Sequence, residues 1–257
     1  MPTGRTDESD PEVARGVAVL RRMFALLEAF RGSDELSLAE LARRSGLPKT
    51  TAHRLVGLLV SEQILERRGN DYRLGLRLFE LGELVPRKRS LREAALPFLQ
   101  DLFEATHETI HLAVLDGTDV VYLERISGHR KVKAPSAVGG RFPAHATGVG
   151  KALLAFTPDA ARTVLARPLL RVTPYTITAP NVLADELRRI AAAGVAFDRE
   201  ESTPGVSCVA APVLVGHEAV AALSVTGPSA RMQPETLAPA VRTAALGLAR
   251  VLAAGRA

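Results

Sequence analysis

Two short helical patterns with a glycine between them, in residues 36–65, constrain the fold of this chain more than any other stretch. Ser37 is a favourable N-cap for the first helix, and Glu40 follows three residues later, as in a capping box. Gly46 stands where helices commonly end in the left-handed conformation, and Pro48 suits the first position of the next helix. This pattern predicts a helix-turn-helix.

The second of these helices carries polar residues on the side away from its apolar stripe. The apolar positions of the first helix are Leu38, Leu41 and Ala42, and those of the second are Leu55, Leu58 and Leu59. The polar side chains in the first turns of the second helix are those that meet DNA in such motifs; they are Lys49, Thr50, Thr51, His53 and Arg54.

Residues 65–74 follow the second helix directly and are typical of a β-hairpin. Gly69, Asn70 and Asp71 supply a turn, because these residues tolerate positive φ. A hairpin in this place is the wing of a winged helix-turn-helix, and Arg67 and Arg68 are its candidate DNA contacts. From Arg43 to Arg73 there are seven basic and three acidic residues, 7 − 3 = +4, which favours double-stranded DNA as a partner. The alternative is a small helical bundle with a solvated basic face.

Composition sets the size and compartment of the molecule. A chain of 257 residues suits two domains, and its net charge of +5 is modest. A single cysteine, Cys208, excludes an intrachain disulfide framework and fits a reducing cytoplasm. We expect no signal peptide and no membrane-spanning run, and we expect residues 1–12 to form a disordered tail.

The rest of the chain mixes helices and strands, which predicts an α+β fold with an antiparallel sheet flanked by helices. Apolar periodicity predicts helices over residues 14–30, 75–84, 91–106, 148–156, 158–165, 182–193 and 234–252. Alternation and turn signals predict strands over residues 111–115, 120–126, 132–137, 195–197, 206–215 and 219–225, with a loop over residues 139–143.

The charged residues 86–90 interrupt the helical pattern, and we place a domain boundary there. The expected domains are a winged helix-turn-helix over residues 13–74, a linker helix over residues 75–90 and a second domain over residues 91–257. Leu78, Leu81 and Leu84 give the linker helix an apolar stripe, which must be buried against its own domain or a partner subunit.

Several stretches resemble the IclR family of bacterial transcriptional regulators, in matching order and spacing. These are residues 36–65, residues 72–75 (YRLG), residues 140–155 (GRFPAHATGVGKALLA), residues 200–201 with 205–213 (EE and GVSCVAAPV) and residues 221–228 (AALSVTGP). The resemblance implies a GAF-like effector-binding second domain and a homodimer or a dimer of dimers, in a family that contains both repressors and activators. We expect a pseudo-palindromic operator, and neither a cofactor nor a metal.

The resemblance also implies an effector-binding set in the second domain: Phe142, Gly148, Val149, Asp198, Val206, Cys208, Ser224 and Thr226. Family members that bind small keto acids often carry serine at the last of these positions. Thr226 keeps the hydroxyl and adds a methyl group, which argues against a small keto acid among the possible organic acids.

Elementary chemistry leaves other readings of these residues open. A helix start at Gly148 offers unpaired N–H groups to a carboxylate, although the glycines of this helix can instead serve tight packing on the sheet. Cys208 fits a core as well as a pocket, and Asp198 can pair with neighbours of Arg199 or with solvent. Ser224 and Thr226 share one sheet face and need partners there.

Two other functional classes compete with an effector-controlled regulator. A cysteine-dependent enzyme needs a thiol of low pKa and a nearby base, yet no nucleophile, metal or phosphate-loop signature accompanies Cys208. His145 fits a structural hydrogen bond better than catalysis. A structural DNA-bridging protein is the third class, and it has no use for a pocket. We therefore expect a regulator that is not an enzyme.

Overall fold

The computed structural model describes residues 11–129 and 136–255, and it divides into two compact units, residues 1–86 and residues 87–257. The expected tail over residues 1–12 lies almost wholly outside the described residues. The first helix, α1, already begins at Pro11 and spans Pro11–Glu28, so it starts earlier and ends earlier than expected.

The N-terminal unit is a winged helix-turn-helix. After α1 come β1 (Leu36–Ser37), α2 (Leu38–Ser45), α3 (Lys49–Ser61), β2 (Leu65–Arg68), β3 (Asp71–Leu74) and α4 (Leu76–Glu83). The three strands form one antiparallel sheet in the order β1-β3-β2, so Leu36 and Ser37 tie the entry of α2 to the wing. The predicted motif and wing are both present.

The turn chemistry of the motif is as predicted, with two differences of detail. The Ser37 side chain accepts the Glu40 N–H, and Gly46 ends α2 with φ of 69°. The Glu40 carboxylate, however, binds Arg43 and Arg44 and so gives only half of the expected capping box. Pro48 is the N-cap of α3 and lies just outside its first turn.

The apolar faces of the N-terminal helices differ in part from the sequence expectation. In α3 the buried residues are Ala52, Leu55, Val56 and Leu59, whereas Leu58 is exposed. Helical spacing predicts one apolar stripe in α1 at Val17, Leu20, Phe24, Leu27 and Phe30. Phe30 is buried and Leu27 half-buried, but Val17, Leu20 and Phe24 face outward. The helical period alone shows where the apolar residues of such a helix lie, but it does not show which of them are buried within the same unit.

The C-terminal unit is built on a six-stranded antiparallel sheet. Its strands are β4 (Thr109–Asp116), β5 (Asp119–Ile126), β6 (Arg141–Pro143), β7 (Ala196–Arg199), β8 (Val206–Val215) and β9 (Glu218–Pro228), in the order β6-β5-β4-β9-β8-β7. Its helices are α5 (Pro86–Thr106), α6 (Gly148–Leu154), α7 (Pro158–Leu165), α8 (Pro180–Ala193) and α9 (Pro234–Ala254). The α+β class is confirmed.

Three sequence expectations for this unit are wrong. Residues 86–90 do not interrupt a helix, because α5 begins at Pro86, and proline is tolerated in a first helical turn. Helical spacing predicts Leu96, Leu99 and Phe103 on the buried side of α5, but Leu96 is exposed and Leu102 is buried. Arg141–Pro143 is a strand paired with β5 and not a loop. Most of the strand expected over residues 132–137 lies outside the described residues.

Each face of the large sheet packs against its own set of helices. One face packs with α5 and α9, whose Leu99, Val241 and Leu248 are buried there. The other face packs with α6, α7 and α8 through Leu153, Val164 and other buried apolar residues. By length and composition alone α9 meets the criterion for a membrane span, as core helices also do, and its Val241, Ala245 and Leu248 are buried in the core that it shares with α5.

Helix α6 approaches its preceding turn so closely that one glycine is obligatory. A Cβ atom at Gly150 would lie 2.1 Å from the carbonyl oxygen of Ala144, which is backbone. We predict that Gly150→Ala lowers the free energy of unfolding of the C-terminal unit by about 1–3 kcal/mol, as other overpacked sites do.

Urea unfolding followed by circular dichroism measures this change. Gly57→Ala, in α3, is the matched control, because no atom lies within 4 Å of the Cβ it would add. The control should be neutral or slightly stabilising. Equal stability of Gly150→Ala and wild type would contradict the packing described for α6.

Candidate functional site

The outer face of α3 and the wing present the side chains that the sequence assigns to DNA. Lys49, Thr50, His53 and Arg54 are exposed, and Thr51 is half-buried. Arg67 and Arg68 are exposed in β2, and Arg67 Nε donates to the carbonyl oxygen of Gly69 at 2.9 Å. Six of these seven side chains are therefore accessible to a ligand outside the unit.

Internal ion pairs decide which of the basic residues offer charge to a partner. Arg43 and Arg44 bind Glu40, and these arginines lower the pKa of Glu40 to about 2. Arg73 is bonded to Glu66 at 2.6 Å. In the part of the chain that the structure describes, no carboxylate pairs with Lys49, Arg54 or Arg68. The positive charge of this surface thus rests mainly on α3 and the wing.

The C-terminal unit contains a narrow cavity of about 20 Å³, room for about one water molecule, so a larger ligand requires the lining side chains to move apart. All eight residues of the expected effector-binding set line it, although they come from well separated parts of the sequence. The sequence did not assign the remaining lining residues to the set: His111, Tyr122, Ser136, Thr147 and Ser202.

Strand pairing brings the polar wall of this cavity together. Asp198 of β7 lies opposite Cys208 of β8, and Cys208 lies opposite Thr226 of β9. In the neighbouring row, Ser224 of β9 lies opposite His111 of β4. Residues paired in this way share one face of a sheet, so a carboxylate, a thiol, two hydroxyls and an imidazole all point to the same side.

His111 connects the hydroxyl groups of this wall. Its Nε2 lies 2.8 Å from Ser136 Oγ, and its Nδ1 lies 3.4 Å from the hydroxyls of both Ser224 and Thr226. Burial, together with the charge of Arg125, lowers the pKa of His111 to about 3, so the imidazole is neutral. The ring of Tyr122 packs beside it at 5.1 Å between centroids.

Asp198 is held at one side of the cavity by three donors. Its Oδ1 accepts the N–H groups of Glu201 at 2.7 Å and Ser202 at 3.3 Å, and its Oδ2 accepts the Ser202 hydroxyl at 2.6 Å. Burial raises the pKa of Asp198 to about 6, and the charge of Glu201 acts in the same direction. Asp198 thus lines the cavity and also pairs with Glu201 and Ser202, neighbours of Arg199, and at 2% exposure it is not paired with solvent.

Cys208 is both a core residue and a wall of the cavity. It belongs to the apolar cluster under α6, and a Cβ at Gly148 would lie 3.1 Å from its sulfur. Burial raises the pKa of the Cys208 thiol to about 12. The thiol is therefore neutral. Gly148 leaves room beside it, whereas Gly150 is required for packing.

The residues that the sequence did not assign to the cavity gave only weak signals. His111 is a polar residue inside an apolar strand, but its partners depend on the pairing of β4 with β9. Tyr122 and Ser136 are placed by β5 and by the segment before β6.

His145 Nε2 lies 3.0 Å from the carbonyl oxygen of Leu170, so its expected structural hydrogen bond is confirmed. No cluster of three metal-ligating side chains occurs among the described residues.

A winged helix-turn-helix with a basic face, followed by a sheet unit with an enclosed polar cavity, defines a transcriptional regulator with DNA-binding and ligand-binding domains on one chain. Family models agree: "IclR helix-turn-helix domain" matches residues 13–69, and "Bacterial transcriptional regulator IclR C-terminal" matches residues 85–250. The chain belongs to the IclR family of bacterial transcriptional regulators.

Curated relatives and solved structures of this family cover most of the chain. The transcriptional regulator BhcR of Paracoccus denitrificans is 35% identical over all of this chain and 93% of its own length. The transcriptional repressor IclR of Escherichia coli is 32% identical over 84% of this chain and 82% of its own. An IclR homologue from Microbacterium hydrocarbonoxydans, solved in complex with 4-hydroxybenzoate, is 34% identical, with a TM-score of 0.83 and coverage of 92% and 99%.

Proposed function

We propose that this regulator binds a pseudo-palindromic operator as a dimer or a dimer of dimers, and that a small organic acid in the C-terminal cavity sets its operator affinity. The observation that carries the proposal is the cavity itself. Residues from five separate stretches place hydroxyl groups, a neutral imidazole and an apolar wall around one enclosed space.

The lining of the cavity suits a carboxylic acid with a compact apolar body. Ser224 and Thr226 offer hydroxyl donors, and Phe142, Val149 and Val206 offer the apolar surface that would select the body of the ligand. A relative of the same fold holds 4-hydroxybenzoate, which makes an aromatic acid the first probe to use. The extra methyl of Thr226 disfavours a small keto acid.

The DNA-binding proposal rests on the exposed side chains of α3. We propose that α3 enters the major groove with Lys49, Thr50, Thr51, His53 and Arg54. Arg67 and Arg68 in the wing would contact phosphates or the minor groove. The absence of ion pairs at Lys49, Arg54 and Arg68 within the described residues supports this assignment, because these cations lose no internal partner on binding.

Two apolar helix faces in the N-terminal unit support self-association. Val13, Val17, Leu20 and Phe24 form a stripe on α1 with spacings of four, three and four residues, the spacing of a coiled-coil seam, and all four are exposed. In α4, Leu76, Phe79 and Leu81 are exposed and Leu78 is half-buried. We propose that a second copy of this chain covers these faces.

The coupling between effector and operator requires that the ligand bind one arrangement of the dimer better than another. A coupling free energy of about 1–3 kcal/mol would change operator affinity roughly 5- to 150-fold. We propose residues 75–90 as the segment that transmits the change, because they connect the wing to the second domain.

The proposed domains are residues 13–74, which bind DNA, and residues 91–257, which bind the effector. We propose that the protein acts in the cytoplasm.

The competing functions receive less support. Cys208 is buried with a raised pKa, which is the opposite of what a nucleophilic cysteine requires. A protein that only bridges DNA has no use for a cavity with a connected set of hydroxyl groups. Ligand-dependent thermal stabilisation would distinguish a sensor from such a bridging protein.

For the DNA surface, we predict that Arg54→Ala lowers operator affinity by about 1–3 kcal/mol and relaxes specificity at one base pair, as loss of a base contact does. Arg68→Ala should weaken binding to all sequences similarly and reduce the salt slope. Electrophoretic shift at several salt concentrations, on DNA upstream of the protein's own gene, measures both.

The matched control is Arg162→Ala, which removes an exposed arginine of α7 that is paired with Asp159. This variant should bind the operator as wild type does. If Arg54→Ala and Arg68→Ala also bind as wild type does, the DNA-binding face is assigned to the wrong side of the unit.

For self-association, we predict that Phe24→Glu weakens the dimer at least about tenfold, because it places a charge in an apolar seam. Sedimentation equilibrium of the full chain measures the dissociation constant. Phe24→Leu is the matched control and should stay associated. A Phe24→Glu variant that is as strongly associated as wild type would move the interface away from α1.

For the effector, a thermal-shift screen of carboxylates, with 4-hydroxybenzoate and benzoate among them, identifies a ligand. We predict that Ser224→Ala weakens effector binding about 2- to 13-fold, the loss of one hydrogen bond, while effector-free operator binding stays unchanged. Ser207→Ala is the matched control, because this β8 hydroxyl pairs with Ser229 and does not line the cavity. An unchanged ligand response in Ser224→Ala would place the sensory site elsewhere.

A further inference from the structure

The cavity contains a buried carboxylate but no cation among its described lining residues. Asp198 is the one acidic residue of the lining, and no lysine or arginine accompanies it. A carboxylate ligand entering this space would therefore meet a second carboxylate. Two like charges close together in a low-dielectric enclosure repel strongly.

Two cations act on the cavity from outside its lining. Arg125 of β5 lies opposite His111, and its charge adds to burial in lowering the pKa of that imidazole. The cation that acts on Asp198 is already engaged with another carboxylate. Lys151 of α6 is 1% exposed, and its Nζ is 2.5 Å from Glu201 Oε1. Glu201 Oε2 is buried without a hydrogen-bond partner in the described part of the chain. Lys151 is bonded to Glu201 and acts on Asp198 only through its charge, so these three groups carry one excess negative charge when both carboxylates are ionised.

The other titratable groups of the cavity are neutral over the ordinary working range of pH. Burial lowers the pKa of His111 to about 3, raises that of Cys208 to about 12, and raises that of Tyr122. Burial and the charge of Glu201 raise the pKa of Asp198 to about 6. Among the lining groups, Asp198 is accordingly the one that can take up a proton near neutral pH.

We infer that the cavity takes a monocarboxylate together with one proton from solvent, which Asp198 carries, and that it rejects dicarboxylates built on the same ring. The inference rests on the proposed function and specifies the ligand class of that same site. One proton and one monoanion enter together, so the charge of the cavity and its cluster does not become more negative. A second carboxylate on the ligand would restore the uncompensated charge.

Isothermal titration calorimetry of the full chain with 4-hydroxybenzoate tests this inference, in buffers of different ionisation enthalpy. From about pH 6.5 to about pH 7.5, the dissociation constant should rise about tenfold, the slope expected for one linked proton. The buffer dependence of the heat should show about one proton taken up per ligand at the higher pH. At about pH 5.5 proton uptake should be small, because Asp198 is then already protonated.

Two ligand analogues and one variant serve as controls. The neutral 4-hydroxybenzamide should bind without proton uptake, and terephthalate, which replaces the hydroxyl by a second carboxylate, should bind at least about tenfold more weakly than 4-hydroxybenzoate. In Asp198→Asn, binding of 4-hydroxybenzoate should lose both its proton uptake and its pH slope. The wild-type calorimetry decides the matter even if this variant does not fold.

The outcomes separate the inference from the proposed function. Binding of 4-hydroxybenzoate without proton uptake, or binding of terephthalate as tight as that of 4-hydroxybenzoate, overturns the inference and leaves the proposed function standing. Failure of 4-hydroxybenzoate to bind even at about pH 5.5, where Asp198 is protonated, counts against both.

Discussion

The register of β7, β8, β9 and β4 is the constraint on which the candidate cavity depends. Because side chains alternate along a strand, a shift of one residue would turn Asp198, Cys208, Thr226 and Ser224 to the opposite face. That face packs against α5 and α9 in an apolar core, where a carboxylate and hydroxyl groups would lose their partners. Because one face of the sheet must bury apolar side chains against α5 and α9, the alternating polar side chains are held on the opposite face, where the cavity lies.

Helix α6 closes this polar face, and two kinds of contact hold it there. Gly148 and Gly150 remove the Cβ atoms that would meet Cys208 and the Ala144 carbonyl. The buried pair of Lys151 and Glu201 connects α6 to the segment after β7, and the hydroxyl of Thr176 donates to the Glu201 carbonyl at 2.7 Å. Breaking one partner of such a pair leaves an uncompensated buried charge, so these residues fix where the cavity wall lies.

The N-terminal unit follows a different logic, in which local signals dominate. The Ser37 cap, the left-handed Gly46 and the Gly69 turn are all satisfied within a few residues. Gly75 adds a close approach, since a Cβ there would lie 2.1 Å from the Gln63 carbonyl oxygen. Internal pairs such as Glu66 with Arg73 then remove some of the basic residues from the exposed charge, which a count along the sequence does not show.

The sequence by itself determined the winged helix-turn-helix, the α+β class and the eight residues that line one cavity. Helix caps, turn glycines and periodicity depend on residues close together in the chain, and the eight residues follow from family motifs. The sequence did not determine which part of the α1 stripe is covered, that Leu58 and Leu96 are exposed, or that Arg141–Pro143 is a strand. It also did not assign His111, Tyr122, Ser136 and Ser202 to the cavity wall. Only the tertiary structure decided these points, because each depends on which distant strand or helix lies opposite, and strand pairing and packing are set by the whole core and not by neighbours in the chain.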